Sequence, residues 1–191
     1  MTEAEFKKHL EAIEKSPKEI AMAVAGLADK VLRAKPAADK WCILEVLGHL
    51  ADIEIVYGFR LRQIIAGASS LNPATTGADP RESGGPAAAA KDTRAHAALP
   101  ENQPMIAPID QDAWARSLGY LEAPAAEFVA GYGLNRHHNV RLLRRLRVDD
   151  LEKGGFHPEL GRKFTLAELV EGMSGHGAGH LGQIERLKAA R

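Results

Sequence analysis

Two histidines four positions apart, His176 and His180, lie in the stretch SGHGAGHLGQI. If that stretch is helical, four residues turn the chain through about 400°. The imidazoles then sit about 40° apart around the axis and about 6 Å apart along it, so both reach one ion. The spacing departs from the His-Glu-x-x-His pattern of zinc peptidases, because Gly177 stands where that pattern carries its general base. A third imidazole is available from His49, in the stretch EVLGHLADIE. It is flanked by Leu47 and Leu50, and Gly48 beside it permits close packing. Three neutral imidazoles suit Zn²⁺, Ni²⁺ or Fe²⁺, and a coordination position left to water marks a reactive rather than a closed structural site. Singly, each histidine has a plainer reading as a hydrogen-bonded or half-exposed helix residue. Together, His49, His176 and His180 read as a metal triad.

Groups of the right type surround these positions. Glu45 lies one turn before His49 and Asp52 three residues after it, so both are near its face. Either carboxylate suits the task of orienting an imidazole through its second nitrogen, or of taking a proton from bound water. Gln183, three residues after His180, offers a hydrogen bond at the same place. Surface solvation is the competing account of all three. Asn135, Arg136, His138 and Asn139 form a polar group that reads either as a contact for a substrate anion or as an exposed helix face. Arg60 and Arg62 have the same two readings, and His9, His96, His137 and His157 show no pairing that marks a site.

Helices must position these residues. Phe6, Leu10, Ile13, Ile20, Val24, Leu27 and Val31 recur at helical spacing and predict an amphipathic helix over residues 2–35, kinked or broken at Pro17. A second helix is predicted from about 42 to 66, with Cys42 at its N-cap, Glu45 in the capping position and Trp41 placed to staple onto Val46. Residues 67–110 lack periodicity and are rich in Gly and Pro; a stretch of this kind commonly supplies a lid or part of a pocket. Within it, AAAAKDTRAHAA predicts a short helix over 87–98. Helical signal returns over 112–146, with Pro124 near the start of its main part and a weak place at Gly131 to Gly133. The stretch VDDLEKGGFHPELGRK reads as a connector without strand alternation.

The last helix has the clearest start. Thr165 and Glu168 form a capping box, and Phe164 with Leu169 fits a hydrophobic staple. Leu166, Leu169, Val170, Met173, Leu181, Ile184 and Leu187 carry its apolar face through the glycines at 175, 177, 179 and 182. Each glycine costs about 1 kcal/mol relative to alanine in a helix interior, so four of them call for close approach of a neighbouring helix or a ligand.

Composition bounds the rest. The 191 residues suit one well-filled domain spanning 1–191, and 45% of them are apolar. The 25 basic and 25 acidic residues balance, which gives no general attraction to nucleic acid or an anionic membrane. The arginine clusters RLLRRLR and FRLR lack interleaved aromatics for base stacking. Cys42 alone excludes an internal disulfide and fits a reducing compartment. The charged N-terminal stretch does not read as a secretory signal, and no apolar run is long enough to span a bilayer. A cytoplasmic location is the expectation.

The stretches WCILEVLGHLADIE, FRLRQII and HPELGRKFTLAELVEGMSGHGAGHLGQIERL resemble the DinB-like (YfiT/DinB) superfamily of metal-binding four-helix bundles, over nearly the whole chain. The resemblance implies an all-α four-helix bundle with a long irregular segment between helices 2 and 3. It places the family's metal-binding histidines on His49, His176 and His180, and it implies a homodimer. Two activities follow from it: hydrolysis of a small molecule by water on the triad's ion, or metal-dependent S-transfer from a low-molecular-weight thiol. A non-catalytic, metal-containing binding or structural bundle is the third possibility. The chain departs from the family where Cys42 replaces the usual Ser or Thr after the tryptophan. It departs again at Gly177 and Gly179, where larger polar residues are common.

Overall fold

The computed structural model describes residues 1–67 and 104–190. Helix α1 (Glu3–Val24) opens on a capping box between Thr2 and Glu5. The segment predicted as one helix over 2–35 instead ends α1 before Gly26, whose φ of 72° is in the left-handed region, and adds the short α2 (Asp29–Leu32). Pro17 neither breaks nor ends α1. Proline removes the amide that would serve the Ile13 carbonyl. The Ser16 hydroxyl donates to that carbonyl at 2.9 Å instead, and the Tyr132 hydroxyl lies 3.0 Å from the same Ser16 oxygen.

Helix α3 (Ile43–Ala66) spans the predicted range and starts from Cys42. Glu45 accepts the Cys42 backbone amide at 2.8 Å and ion-pairs Lys35 at 2.7 Å, satisfying one of the free amides of the first turn. Gly67, with φ 62°, closes the helix. The helix predicted over 87–98, and most of the segment read as a lid, lie outside the described residues.

The region predicted as a helix over 112–146 divides into α4 (Gln111–Ser117) and α5 (Ala125–Leu143). Gly119, at φ 66°, turns the chain between them, and Pro124 is the N-cap of α5. The helix α5 continues through Gly131 and Gly133. The stretch read as a plain connector folds into a 3₁₀ turn, Val148–Glu152, and a hairpin of β1 (Gly154–His157) and β2 (Arg162–Thr165). Gly154 and Gly155 are required there: a Cβ on either would strike a backbone carbonyl, that of Phe164 or that of Pro104. Phe156 also exchanges backbone hydrogen bonds with Pro104 and Ile106 at 2.9 and 2.8 Å. Helix α6 (Leu166–Ala189) starts at the expected capping box of Thr165 and Glu168.

The four long helices, α1, α3, α5 and α6, form a bundle in which α3 packs on α5 and α6, and α1 packs on the same two. Helices α1 and α3 therefore face each other across a diagonal, as do α5 and α6. Two groups of buried side chains fill the interior, one about Ile13, Leu61, Leu143 and Leu169, the other about Ile43, Leu47, Leu50 and Ile184. Each such aliphatic side chain stabilises the fold by about 1.5–3 kcal/mol. No helix of the described residues is long and apolar enough to cross a membrane.

Candidate metal centre

The α3–α6 interface brings the three histidines together. His49 is buried in mid-α3, and His176 and His180 are half-buried on successive turns of α6. The Nε2 atom of His176 lies 2.8 Å from Nε2 of His49 and 3.1 Å from Nε2 of His180. Ligand atoms on all three fall within 4.8 Å of one another. Nitrogens held about 2.0–2.1 Å from a common ion lie about 3 Å apart, so the set has the dimensions of a facial three-nitrogen site. The donor chemistry agrees with the spacing. Three ring nitrogens converge, and without a shared cation a proton must lie between them.

Burial sets the protonation of these rings. Desolvation, aided by His180, lowers the His49 pKa to about 4. Desolvation together with His180, His49 and Arg136 lowers that of His176 to about 3. His180 is lowered by desolvation, and its bond to Gln183 acts in the other direction. Neutral imidazole is the form that binds a metal, so the site keeps its ligands ready below the usual histidine range.

Gln183 is the predicted neighbour that reaches the triad: its Oε1 lies 2.8 Å from His180 Nδ1. The carboxylates of Glu45 and Asp52 go elsewhere. Glu45 is committed to Cys42 and Lys35, and Asp52 accepts the Tyr120 hydroxyl at 2.6 Å. Neither bonds a triad imidazole among the described residues. The Trp41 ring, 5.0 Å from that of His49, and the Tyr57 ring, 5.8 Å from that of His176, wall the site with aromatic surface.

The glycines divide by role. Gly48 gives its space to Tyr120, since a Cβ there would lie 2.6 Å from the tyrosine ring. Gly177 lets α6 settle on Tyr132 and Ser16, with clearances of 3.2 and 3.3 Å. Gly175 and Gly179 have no neighbouring helix against them, for a Cβ on either meets no protein atom within 4 Å.

The polar group on α5 is divided: His138 lies on an exposed face, as one reading expected, while Arg136 and Asn139 turn inward. Arg136 and Asn139 are buried rather than on an exposed face, and Arg136 is not free for a substrate anion. Its Nη2 pairs with Glu54 Oε2 at 2.8 Å, with both side chains fully enclosed. Arg136 Nη1 donates to the Met173 carbonyl at 3.1 Å, and its guanidinium lies over the Tyr132 ring. Asn139 donates to Glu54 Oε1 at 2.7 Å and accepts from Arg62 at 2.9 Å. Burial pushes Glu54 up to about 6 against the pull of Arg136 and Asn139. This network joins α3 and α5 to the turn of α6 just before His176. Sequence reading missed it, and the available signal was Glu54 set among Ile53, Ile55 and Val56 in the stretch LADIEIVYGF. His137 and His138 are exposed, and Arg60 donates to the Ala107 carbonyl.

A cleft of about 630 Å³ opens beside the triad, lined by Trp41, His180, Gln183, Arg186, Leu187 and Asp112 among others. Of the three histidines, His180 lines it, so the cleft reaches the triad from that side.

A diagonal four-helix bundle with three converging imidazoles defines a class of proteins, and comparison places the chain within it. The profile of the DinB superfamily matches residues 12–184, and the chain belongs to that superfamily. Among its relatives is the uncharacterized protein YuaE of Bacillus subtilis (strain 168), 24% identical over 169 residues, which cover 85% of this chain and 86% of YuaE. Among solved structures, YfiT from Bacillus subtilis superposes with a TM-score of 0.76 at 19% identity, covering 99% of this chain and 89% of that one. YfiT is described as a probable metal-dependent hydrolase with an unusual four-helix bundle topology. The likeness establishes the shared fold.

Proposed function

We propose that the chain is a metal-dependent hydrolase of small molecules, with one divalent ion, Zn²⁺, Ni²⁺ or Fe²⁺, held by His49, His176 and His180. The observation that carries this reading is the convergence of three Nε2 atoms beside an open cleft. Among the described residues, no fourth His, Cys, Asp or Glu joins the group. Three protein ligands with a position to spare is the arrangement of catalytic rather than closed sites. The description of YfiT, which shares the fold, supports the same class.

When bound, a divalent ion supplies Lewis acidity, polarising an acyl oxygen and making water a competent nucleophile near neutral pH. The chain's own residues do the rest. Gln183 fixes the His180 tautomer, and the Arg136–Glu54 pair holds the α6 turn before His176 in place. Trp41 and Leu187 give the cleft an apolar wall that keeps water from one side of the substrate. No carboxylate stands between the two α6 histidines, so proton transfer falls to a group on the cleft wall. Asp112 lines the cleft and makes no ion pair among the described residues, which leaves it available for that role.

The test is elemental analysis of the purified, metal-restored protein, together with turnover of a panel of small esters and amides with and without added thiol. One ion per chain and turnover that needs the ion but no thiol are expected. Strict dependence on a thiol selects the S-transferase reading instead. A fully metallated protein inert on the whole panel supports a binding or structural bundle.

A further inference from the structure

Two side chains that line the cleft also meet a ring of the triad, Gln183 and Trp41. Gln183 spends its carbonyl on His180 Nδ1, 2.8 Å away. Trp41 meets the triad through its ring, 5.0 Å from that of His49 and inclined at 55° to it. It is partly buried and packs against the core group that holds Ile43, Leu47 and Ile184, so the ring is fixed while part of it stays open. Tyr57, which stands beside His176, does not line the cleft. Among the described residues of the wall, Trp41 is thus the one large aromatic surface, and it stands at the triad. The charged side chains of the wall offer no competing preference. Asp39 pairs with Lys40 at 3.0 Å, and Asp112 and Arg186 carry opposite charges.

We propose that Trp41 is the specificity residue of the site and packs against an aromatic ring of the substrate. The compound selected is an ester or amide bearing that ring next to the reacting carbonyl. The assignment rests on the hydrolase reading of the triad. Indole offers a large π face, and aromatic pairs in offset-stacked or edge-to-face geometry are favoured beyond the area they bury. Because His49 and the core already fix the ring, it loses little freedom when a ligand lies against it. A cleft of about 630 Å³ has room for a molecule of this size.

Zinc-loaded protein titrated calorimetrically with benzohydroxamate and with cyclohexanecarbohydroxamate tests this without turnover. Both offer the ion the same hydroxamate, and they differ in whether the ring beside it is aromatic. The affinity ratio is taken relative to that of the same pair for free Zn²⁺. Wild-type protein is expected to prefer benzohydroxamate about three- to tenfold, the size of one aromatic pair contact. Trp41→Leu should bring that ratio close to one, and Trp41→Phe should keep part of it, with zinc content unchanged in both. A second reading uses Trp114→Phe, which leaves Trp41 as the one tryptophan, and whose emission should change as benzohydroxamate binds. A wild-type ratio near one, the same ratio in wild type and Trp41→Leu, or a Trp41 emission indifferent to bound benzohydroxamate overturns the assignment. Zinc content in the same samples reads the triad separately. Wild-type protein that fails to hold zinc overturns the metal reading and this assignment with it, whereas a zinc-bound protein without the aromatic preference overturns the Trp41 role alone.

Discussion

Gln183 Oε1 accepts the Nδ1–H of His180 at 2.8 Å, which leaves the His180 Nε2 lone pair facing His176. A single amide carbonyl thus sets both the ring orientation and the tautomer of one arm of the triad. Gln183→Leu is expected to weaken metal binding about 10- to 100-fold, the usual cost of losing such a partner. Chelator competition measures it, and an unchanged helical circular dichroism spectrum separates it from unfolding. Unaltered affinity in this variant would mean that the hydrogen bond does nothing for the site.

Removing an arm outright should be more severe. His49→Ala and His180→Ala are each expected to lose stoichiometric metal, together with the metal-dependent rise in melting temperature expected of the parent protein. Inductively coupled plasma analysis and thermal melts with and without chelator read both. Full metal retention in the two variants would remove the triad from consideration.

The buried imidazoles give the metal-free protein a specific pH profile. His49 near 4 and His176 near 3 lie below the ordinary value of about 6.5. As pH falls through 6.5, the unfolded chain takes up protons at these positions and the native chain does not. Stability is therefore complete above about pH 6.5, declines as pH falls toward 4 and then 3, and levels off beneath. The two rings together contribute on the order of a few kcal/mol over that window. Urea midpoints between pH 7.5 and 5 should fall in the metal-free protein and fall less steeply in His49→Leu; identical slopes would contradict the burial argument.

Arg136 and Glu54 should show the asymmetry of an enclosed ion pair. Glu54→Gln leaves a guanidinium buried without its counter-charge and is expected to destabilise by about 3–5 kcal/mol. Replacing both, Arg136→Met with Glu54→Leu, should recover much of the loss. A double-mutant cycle by chemical denaturation measures the coupling, and additive losses would show that the two side chains act independently.

Gly48→Ala drives a methyl group into the Tyr120 ring and is expected to cost about 1–3 kcal/mol by overpacking. Tyr120→Phe removes only the bond to Asp52 and should cost about 1 kcal/mol. If the Gly48 and Tyr120 effects ranked the other way in denaturation, the packing account of Gly48 would fail.

What could be read from the chain alone follows from the range of each interaction. The capping boxes at Cys42 and Thr165 join residues three apart, and the His176–His180 spacing needs only helix geometry. His49 was recognisable because it interrupts an apolar stripe. The Glu54–Arg136 pair was hidden because its charges cancel only once α3 meets α5; in one dimension each resembles a surface residue. Pro17 looked like a break because the hydroxyl that steadies its partner Ser16 belongs to Tyr132, 116 residues away. The hairpin was invisible for another reason. Its strands are four residues each, two of them glycines, and a further part of its pairing comes from Pro104 and Ile106.

The same distances bear on the order in which the molecule takes shape. His49 and His176 touch across 127 positions of sequence, from helices brought side by side only when α6 docks into the bundle. Closing a loop of that length precedes any reward from the contact. During synthesis, the three imidazoles therefore cannot meet until α6 has left the ribosome. On the proposed metal reading, loading of the ion is a late checkpoint, open only to chains in which α6 has already docked.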